Sequence, residues 1–309
     1  MMSLARKRSL LLLFLAVALP ALLLLLSRSW HDSGKNGPVQ TPDDLSDSQH
    51  QSTENDAARS KNPELAQQPD RAKDRDVEKP ARPTSAGVDD PLEIAAARKR
   101  LAMVHEQLAG RDISDERVLN AMRRVRRHLF VPEDLRELAY IDRPLPIGDG
   151  QTISQPYIVA LMTQLAQPGE SARALDVGTG SGYQAAVLAE LARQVYSIEI
   201  LCPLADAARQ RLKSLGYDNV EVRCGDGFNG WPERAPFDVI IVAAASKEVP
   251  QPLIDQLAPT GRLVIPVGKY FQELMLIEKQ PDGSVKQRAV APVAFVPMTR
   301  EKKDEDKAR

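Results

Sequence analysis

Leu175-Asp176-Val177-Gly178-Thr179-Gly180-Ser181-Gly182-Tyr183 constrains this chain more than any other stretch, because an apolar run ends in an acid and then breaks into alternating glycines. Residues 173–177 read as a short buried strand and residues 184–191 as the helix after it, which leaves the glycines in the connecting turn. Glycine has no Cβ and tolerates positive φ, so a ligand can come close to that backbone. The spacing is G-x-G-x-G, and where a dinucleotide fingerprint needs a third glycine three positions after the second, this chain has Tyr183. That argues against NAD and for S-adenosylmethionine. The carboxylate of that cofactor suits the free N–H groups and positive dipole end of the following helix.

Two further strand ends carry acids at the same edge. Residues 194–198 read as a second strand ending at Glu199, about 20 residues after the first glycine, where a carboxylate can accept hydrogen bonds from both ribose hydroxyls. Residues 220–223 read as a third, and Asp226 in Gly225-Asp226-Gly227 is placed to accept from the exocyclic amine of adenine. Three acid-bearing strand ends in order mark the carboxyl edge of one sheet, which is where doubly wound folds bind ligands. Helices are expected over 92–108, 115–125, 132–138, 157–165 and 252–257. Further strands are expected over 238–243, 261–267, 273–279 and 285–290, with Asp282-Gly283 as a turn. The alternation predicts an α/β protein whose doubly wound, mostly parallel sheet is covered on both faces and ends in an antiparallel addition.

The segment Pro144-Leu145-Pro146-Ile147-Gly148-Asp149-Gly150-Gln151-Thr152-Ile153-Ser154-Gln155-Pro156-Tyr157, then the glycine turn, Gly225-Asp226-Gly227 and Pro236-Phe237-Asp238-Val239-Ile240-Ile241-Val242, resembles the protein-L-isoaspartate O-methyltransferase family. The likeness runs from about Ile94 to Thr299, about two thirds of the chain. Many methyltransferases share the glycine turn, whereas the Gln151-to-Tyr157 segment is specific to this family. The resemblance implies a Rossmann-like class I S-adenosylmethionine-dependent methyltransferase fold. It also implies a repair enzyme, which methylates the free carboxylate of L-isoaspartyl residues in damaged or aged proteins and peptides and so starts their conversion back to aspartyl residues. By the same resemblance Ser154 belongs to the active site, Asp176, Gly178 and Gly180 line the cofactor, Glu199 holds the ribose and Asp226 meets the adenine. Thr299, in the closing segment Val296-Pro297-Met298-Thr299, is a candidate substrate contact, and a monomer is expected. The substrate carboxylate is already ionised at neutral pH, so neither a general base nor a metal nor a catalytic His is needed. Two other readings stay open, a cofactor-binding module without activity and a methyltransferase for a small molecule.

The other conspicuous residues read as structural. Cys202 and Cys224 are the only two cysteines and lack C-x-x-C spacing, so buried thiols are expected rather than a metal site or redox pair. No metal is expected, since His31 and His50 sit in the polar N-terminal region and His105 and His128 lie in helical patterns without a paired ligand at i+3 or i+4. Arg123-Arg124-Val125-Arg126-Arg127 is expected to be a solvated helix face rather than a nucleic-acid surface. The net charge is only −1, and no aromatics interleave the run.

The first 90 residues differ in character. Arg6-Lys7-Arg8 precedes an apolar run over residues 10–26, which reads as a signal peptide or a membrane anchor. It contains Pro20 and no A-x-A site follows, which tilts the reading toward an uncleaved anchor. The positive residues before it would send the rest of the chain across. Residues 31–90 contain no aromatic side chain and are rich in Ser, Asp, Gln, Lys and Pro, so they are expected to form a disordered tether. The expected division is therefore 1–30 signal or anchor, 31–90 linker, and 91–309 catalytic domain. A cytosolic cofactor supply and a cytosolic family conflict with such an N-terminus. Either a start codon placed too early or an envelope enzyme would reconcile them, and cytoplasmic function is expected, with membrane contact through residues 10–26 as the alternative.

Overall fold

The computed structural model describes residues 90–300. The chain divides into two units, Met1–Asp74 and Arg75–Arg309, and every described residue belongs to the second. The readings of an anchor, a tether and a charged tail concern residues 1–89 and 301–309, outside the described residues.

A hairpin of β1 (Leu145–Gly148) and β2 (Gln151–Ile153) precedes a seven-stranded sheet. In that sheet β3 (Arg173–Val177) has β4 (Gln194–Glu199) and then β5 (Val220–Cys224) on one side, and β6 (Phe237–Val242), β7 (Leu257–Val267), β8 (Gln272–Lys279) and β9 (Val285–Val293) on the other. The strands from β5 across to β7 pair in parallel, and β8 and β9 are added antiparallel. The chain thus steps outward from β3 through β4 to β5 and then returns to the far side of β3. That reversal opens a crevice between the carboxyl ends of β3 and β6, the topological switch point.

Side-chain alternation on the central strands builds a core on each face. Val239, Ile241 and Val264 join one cluster with residues of α2 (Glu116–Arg124), α3 (Pro156–Ala166) and α4 (Tyr183–Leu191), while Ile240, Val242, Leu263 and Ile265 join the other with Trp231 and Leu253. Before α2, α1 (Pro91–Ala102) runs on into a π-helical segment, Met103–Ala109. α5 (Cys202–Ser214) crosses from β4 to β5 on the same face as α4, burying Ala205 and Leu212 in the first cluster, while the short α6 (Gln251–Asp255) buries Leu253 on the other face and leads into β7.

Each expected strand is present, with small differences at the ends. The helix expected over 252–257 stops at Asp255, because Gln256 O accepts from Phe237 N and draws the chain into register with β6, so that β7 begins at Leu257. Residues 132–138 form a 3-10 segment, Glu133–Leu138, rather than an α-helix. The hairpin of β1 and β2 was not anticipated; its turn holds Gly148, Asp149 and Gly150 at φ 96°, 51° and 70°. The solvated face expected at the arginine run also needs correction. Arg123 and Arg124 pair with Glu116 and Glu190, but Arg127 is fully buried in the 3-10 segment Arg127–Phe130. Its Nε donates to Ala139 O at 2.7 Å and its guanidinium lies 4.8 Å from the Tyr183 ring centroid, so burial lowers its pKa.

Candidate active site

β3 delivers the glycine turn into the crevice. Gly178 leaves the strand at φ 92°, and its N–H donates to Ile198 O at 2.8 Å, so the turn bends over the edge toward β4. Gly180 N–H then donates to Glu199 Oε2 at 2.8 Å, while Glu199 Oε1 accepts from Leu201 N at 3.1 Å. This carboxylate is 6% exposed and braces the turn that it faces. No side chain caps α4, so the unpaired N–H groups of its first turn stand where Ser181, Tyr183 and Gln184 form part of a pocket wall.

That pocket draws its wall from both sides of the switch point. It is lined by Ser154 just after β2, Glu199 and Ile200 at the end of β4, Ala243 and Ala244 beyond β6, and residues 296–299. The last of these segments is tied down by backbone bonds: Ala245 N donates to Val296 O, and Met298 N to Ala245 O, both at 2.8 Å. The fold therefore brings Ser154, Gly178, Gly180, Glu199 and Thr299 to one cavity.

Asp176 and Asp226 are not in that wall. Asp176 lies beneath the glycine turn, fully buried, with Oδ2 accepting from Ser197 Oγ at 2.7 Å and Ser197 Oγ 2.6 Å from Thr179 Oγ1. Its Oδ1 has no hydrogen-bond partner among the described residues. Burial, with a smaller push from the Glu199 charge, raises its pKa to about 7 against the downward pull of the Ser197 bond. Asp226 instead caps the 3-10 segment Gly227–Asn229, its Oδ1 accepting from Phe228 N at 2.9 Å. The wall at this point is Gly227, where a Cβ would fall 2.5 Å from Val177 Cγ1.

The cysteines overturn an expectation. Cys202 and Cys224 are not thiols but a disulfide, with sulfurs 1.95 Å apart and Cα atoms 4.9 Å apart. The 22-residue separation made them look remote, yet β4 and β5 are neighbours and Cys224 pairs in register with Glu199. The bond joins the first residue of α5 to the last of β5, and so clasps the two segments that carry Glu199 and Gly227.

Ala243, Ala244 and the buried chain Thr179–Ser197–Asp176 were missed in the sequence. The run of small residues after an all-apolar strand, Ala243-Ala244-Ala245, was the available signal for a close approach at the end of β6.

Comparison with known proteins agrees with this geometry. Residues 98–303 match the family model described as Protein-L-isoaspartate(D-aspartate) O-methyltransferase (PCMT). The chain is 61% identical over 192 residues to Protein-L-isoaspartate O-methyltransferase 2 of Polaromonas sp., covering 62% of this chain and 91% of the relative. It is 58% identical over 212 residues to Protein-L-isoaspartate O-methyltransferase of Opitutus terrae, covering 68% and 91%. Among solved structures, a Plasmodium falciparum protein named as a protein-L-isoaspartate O-methyltransferase, in complex with S-adenosyl-L-homocysteine, superposes with a TM-score of 0.58 at 28% identity, covering 65% of this chain and 98% of that one. With two thirds of its length matched to the family model and its glycine turn, Ser154 segment and closing segment gathered around one pocket, the chain belongs to the protein-L-isoaspartate(D-aspartate) O-methyltransferase family.

Proposed function

We propose that this protein is a repair enzyme that transfers the methyl group of S-adenosylmethionine to the free carboxylate of L-isoaspartyl residues in damaged proteins and peptides. The observation that carries the reading is the single pocket shared by Ser154 and the Glu199-braced glycine turn. The residues present fit the cofactor. Uncapped N–H groups at the start of α4 suit its carboxylate, and Glu199, in the wall, suits a ribose. Gly178 and Gly180 let it approach the backbone, and this reading gives the adenine amine to Asp226, which stands next to the wall residue Gly227 and has one oxygen outside the capping bond.

When bound, the cofactor supplies a sulfonium methyl group, an electrophile that needs no further activation. What is left to the protein is to hold an ionised carboxylate in line and dry. Ser154 donates a hydrogen bond to one carboxylate oxygen and leaves the other free to react; Thr299 contacts the substrate from the closing segment, and residues 296–298 keep water out. No proton has to be removed, which is consistent with a wall that contains no His.

The test is methyl transfer from labelled cofactor to two peptides that differ only in having L-isoaspartate or aspartate. Base-labile methyl ester on the isoaspartyl peptide alone is expected, and Ser154→Ala should lower kcat about tenfold, as for one lost hydrogen bond to a charged group, with the fold intact. Equal transfer to both peptides, or to neither, would sink the reading, and an unchanged kcat would remove Ser154 from the site.

The division into 1–30, 31–90 and 91–309 belongs to the same proposal, as does a monomer. Among the described residues no helix is long and apolar enough to cross a membrane. The cytoplasmic location expected from cofactor supply is opposed by two features: a basic then apolar run at residues 6–26, and a disulfide of a kind that persists in oxidising compartments. Both favour attachment through residues 10–26 with the catalytic domain beyond the membrane. Alkylation of undisturbed cells without reductant should then leave both cysteines unmodified. Labelled cysteines would return the enzyme to the cytosol.

A further inference from the structure

Among the described residues, the largest apolar side chains left in solvent stand at one corner. Phe271 is 93% exposed and Tyr270 82%, side by side in the turn between β7 and β8. The turn is held firmly: Gly268 N–H donates to Ser246 O at 2.8 Å, and Gln272 makes two bonds to the Phe295 backbone, accepting at 2.7 Å and donating at 3.1 Å. Gly268 has φ 134°, and a Cβ there would meet Phe271 O at 1.9 Å, so the turn is as tight as a chain can make it. Lys269 adds a positive charge, its Nζ 4.8 Å from the Tyr270 ring centroid.

The anchor points are informative. Ser246 lies two residues beyond Ala244 and Phe295 one residue before Val296, and both Ala244 and Val296 are in the pocket wall. By sheet order the turn is on the β6 and β7 side of β3, opposite the β4 edge that carries Glu199. It therefore lies away from Glu199, with its anchors Ser246 and Phe295 within two residues of the pocket wall. A polypeptide that inserts one carboxylate must leave the chain on either side of it outside, lying along this rim. Exposed aromatics on an anchored turn can grip such a chain without demanding a sequence, at little ordering cost.

We propose that Tyr270 and Phe271 form a docking lip for the polypeptide flanking the isoaspartyl residue, and so set the preference for peptides over isolated isoaspartate. The proposal rests on the repair reading given above. The experiment compares the intact protein with the double variant Tyr270→Ser, Phe271→Ser on a six-residue L-isoaspartyl peptide and on a single end-blocked L-isoaspartyl residue, with thermal melting and sedimentation alongside.

The variant should raise KM for the hexapeptide about tenfold, the size of a modest hot spot, and leave the melting point, the cofactor KM and turnover of the single residue as they were. An unchanged hexapeptide KM, or an equal loss on both substrates, overturns the lip while the wild-type result leaves the repair reading standing. A dimer that becomes a monomer with peptide KM unchanged would identify the patch as a contact between copies instead. If the wild type fails on the isoaspartyl hexapeptide, the repair reading falls and the lip falls with it.

Discussion

Glu199→Ala should raise the KM for S-adenosylmethionine by about 100-fold, the cost of losing two charge-assisted hydrogen bonds to ribose at about 1.4 kcal/mol each. The effect is larger than for a simple contact residue because the same carboxylate accepts from Gly180 N and Leu201 N, so its removal also frees the glycine turn. Glu199→Gln should do nearly as badly. One of its two atoms would be an amide nitrogen facing a backbone donor that needs an acceptor. Initial rates at saturating isoaspartyl peptide, with cofactor varied, give the answer. A KM within threefold of wild type for the alanine variant would mean that the ribose is held elsewhere.

The second large effect is on stability and follows from Asp176, whose carboxyl is raised from 3.8 to about 7 by burial. Between these values the folded chain keeps a proton that the unfolded chain releases. Stability therefore falls as pH rises from about 4 to about 7 and then levels off. About three units at 1.36 kcal/mol each put the full cost near 4 kcal/mol. Asparagine cannot ionise, so Asp176→Asn removes that slope, and without cofactor the variant should gain on the wild type from pH 4 to about pH 7 and hold that gain at pH 8. Urea unfolding of the two proteins at pH 5, 6, 7 and 8 measures it. Curves that stay parallel would show that Asp176 does not titrate in this range.

Those two acids also show how far the sequence could be read. A strand buried on both faces leaves a continuous apolar run, so the strands carrying Val177, Ile198 and Val242 were legible, and so was their order of acids and glycines. An acid at a strand end looks the same whether it faces a ligand, lies beneath a turn or caps one. Asp176 differs in this respect from Glu199 through Ser197, a neighbour brought by the fold, and Asp226 through the N–H of Phe228, two residues on, once the chain turns there. Arg127 was misread because charge predicts solvent, and only the packing of Tyr183 and Ala139 around it makes burial possible. The hairpin before Ser154 was hidden by its brevity and by Pro146, a residue that argues against a strand except at an edge.

The Cys202–Cys224 bond supports the fold independently of any small molecule. A protein that leans on a bound ligand for its folded state loses that support as the ligand is diluted. Closing a loop across the 22 residues that separate the cysteines takes about 3 kcal/mol of disorder from the unfolded chain, and it does so whether or not the pocket is filled. The clasp ties the start of α5 to the end of β5, beside Glu199, so the two segments on that side of the pocket stay joined without help from a ligand.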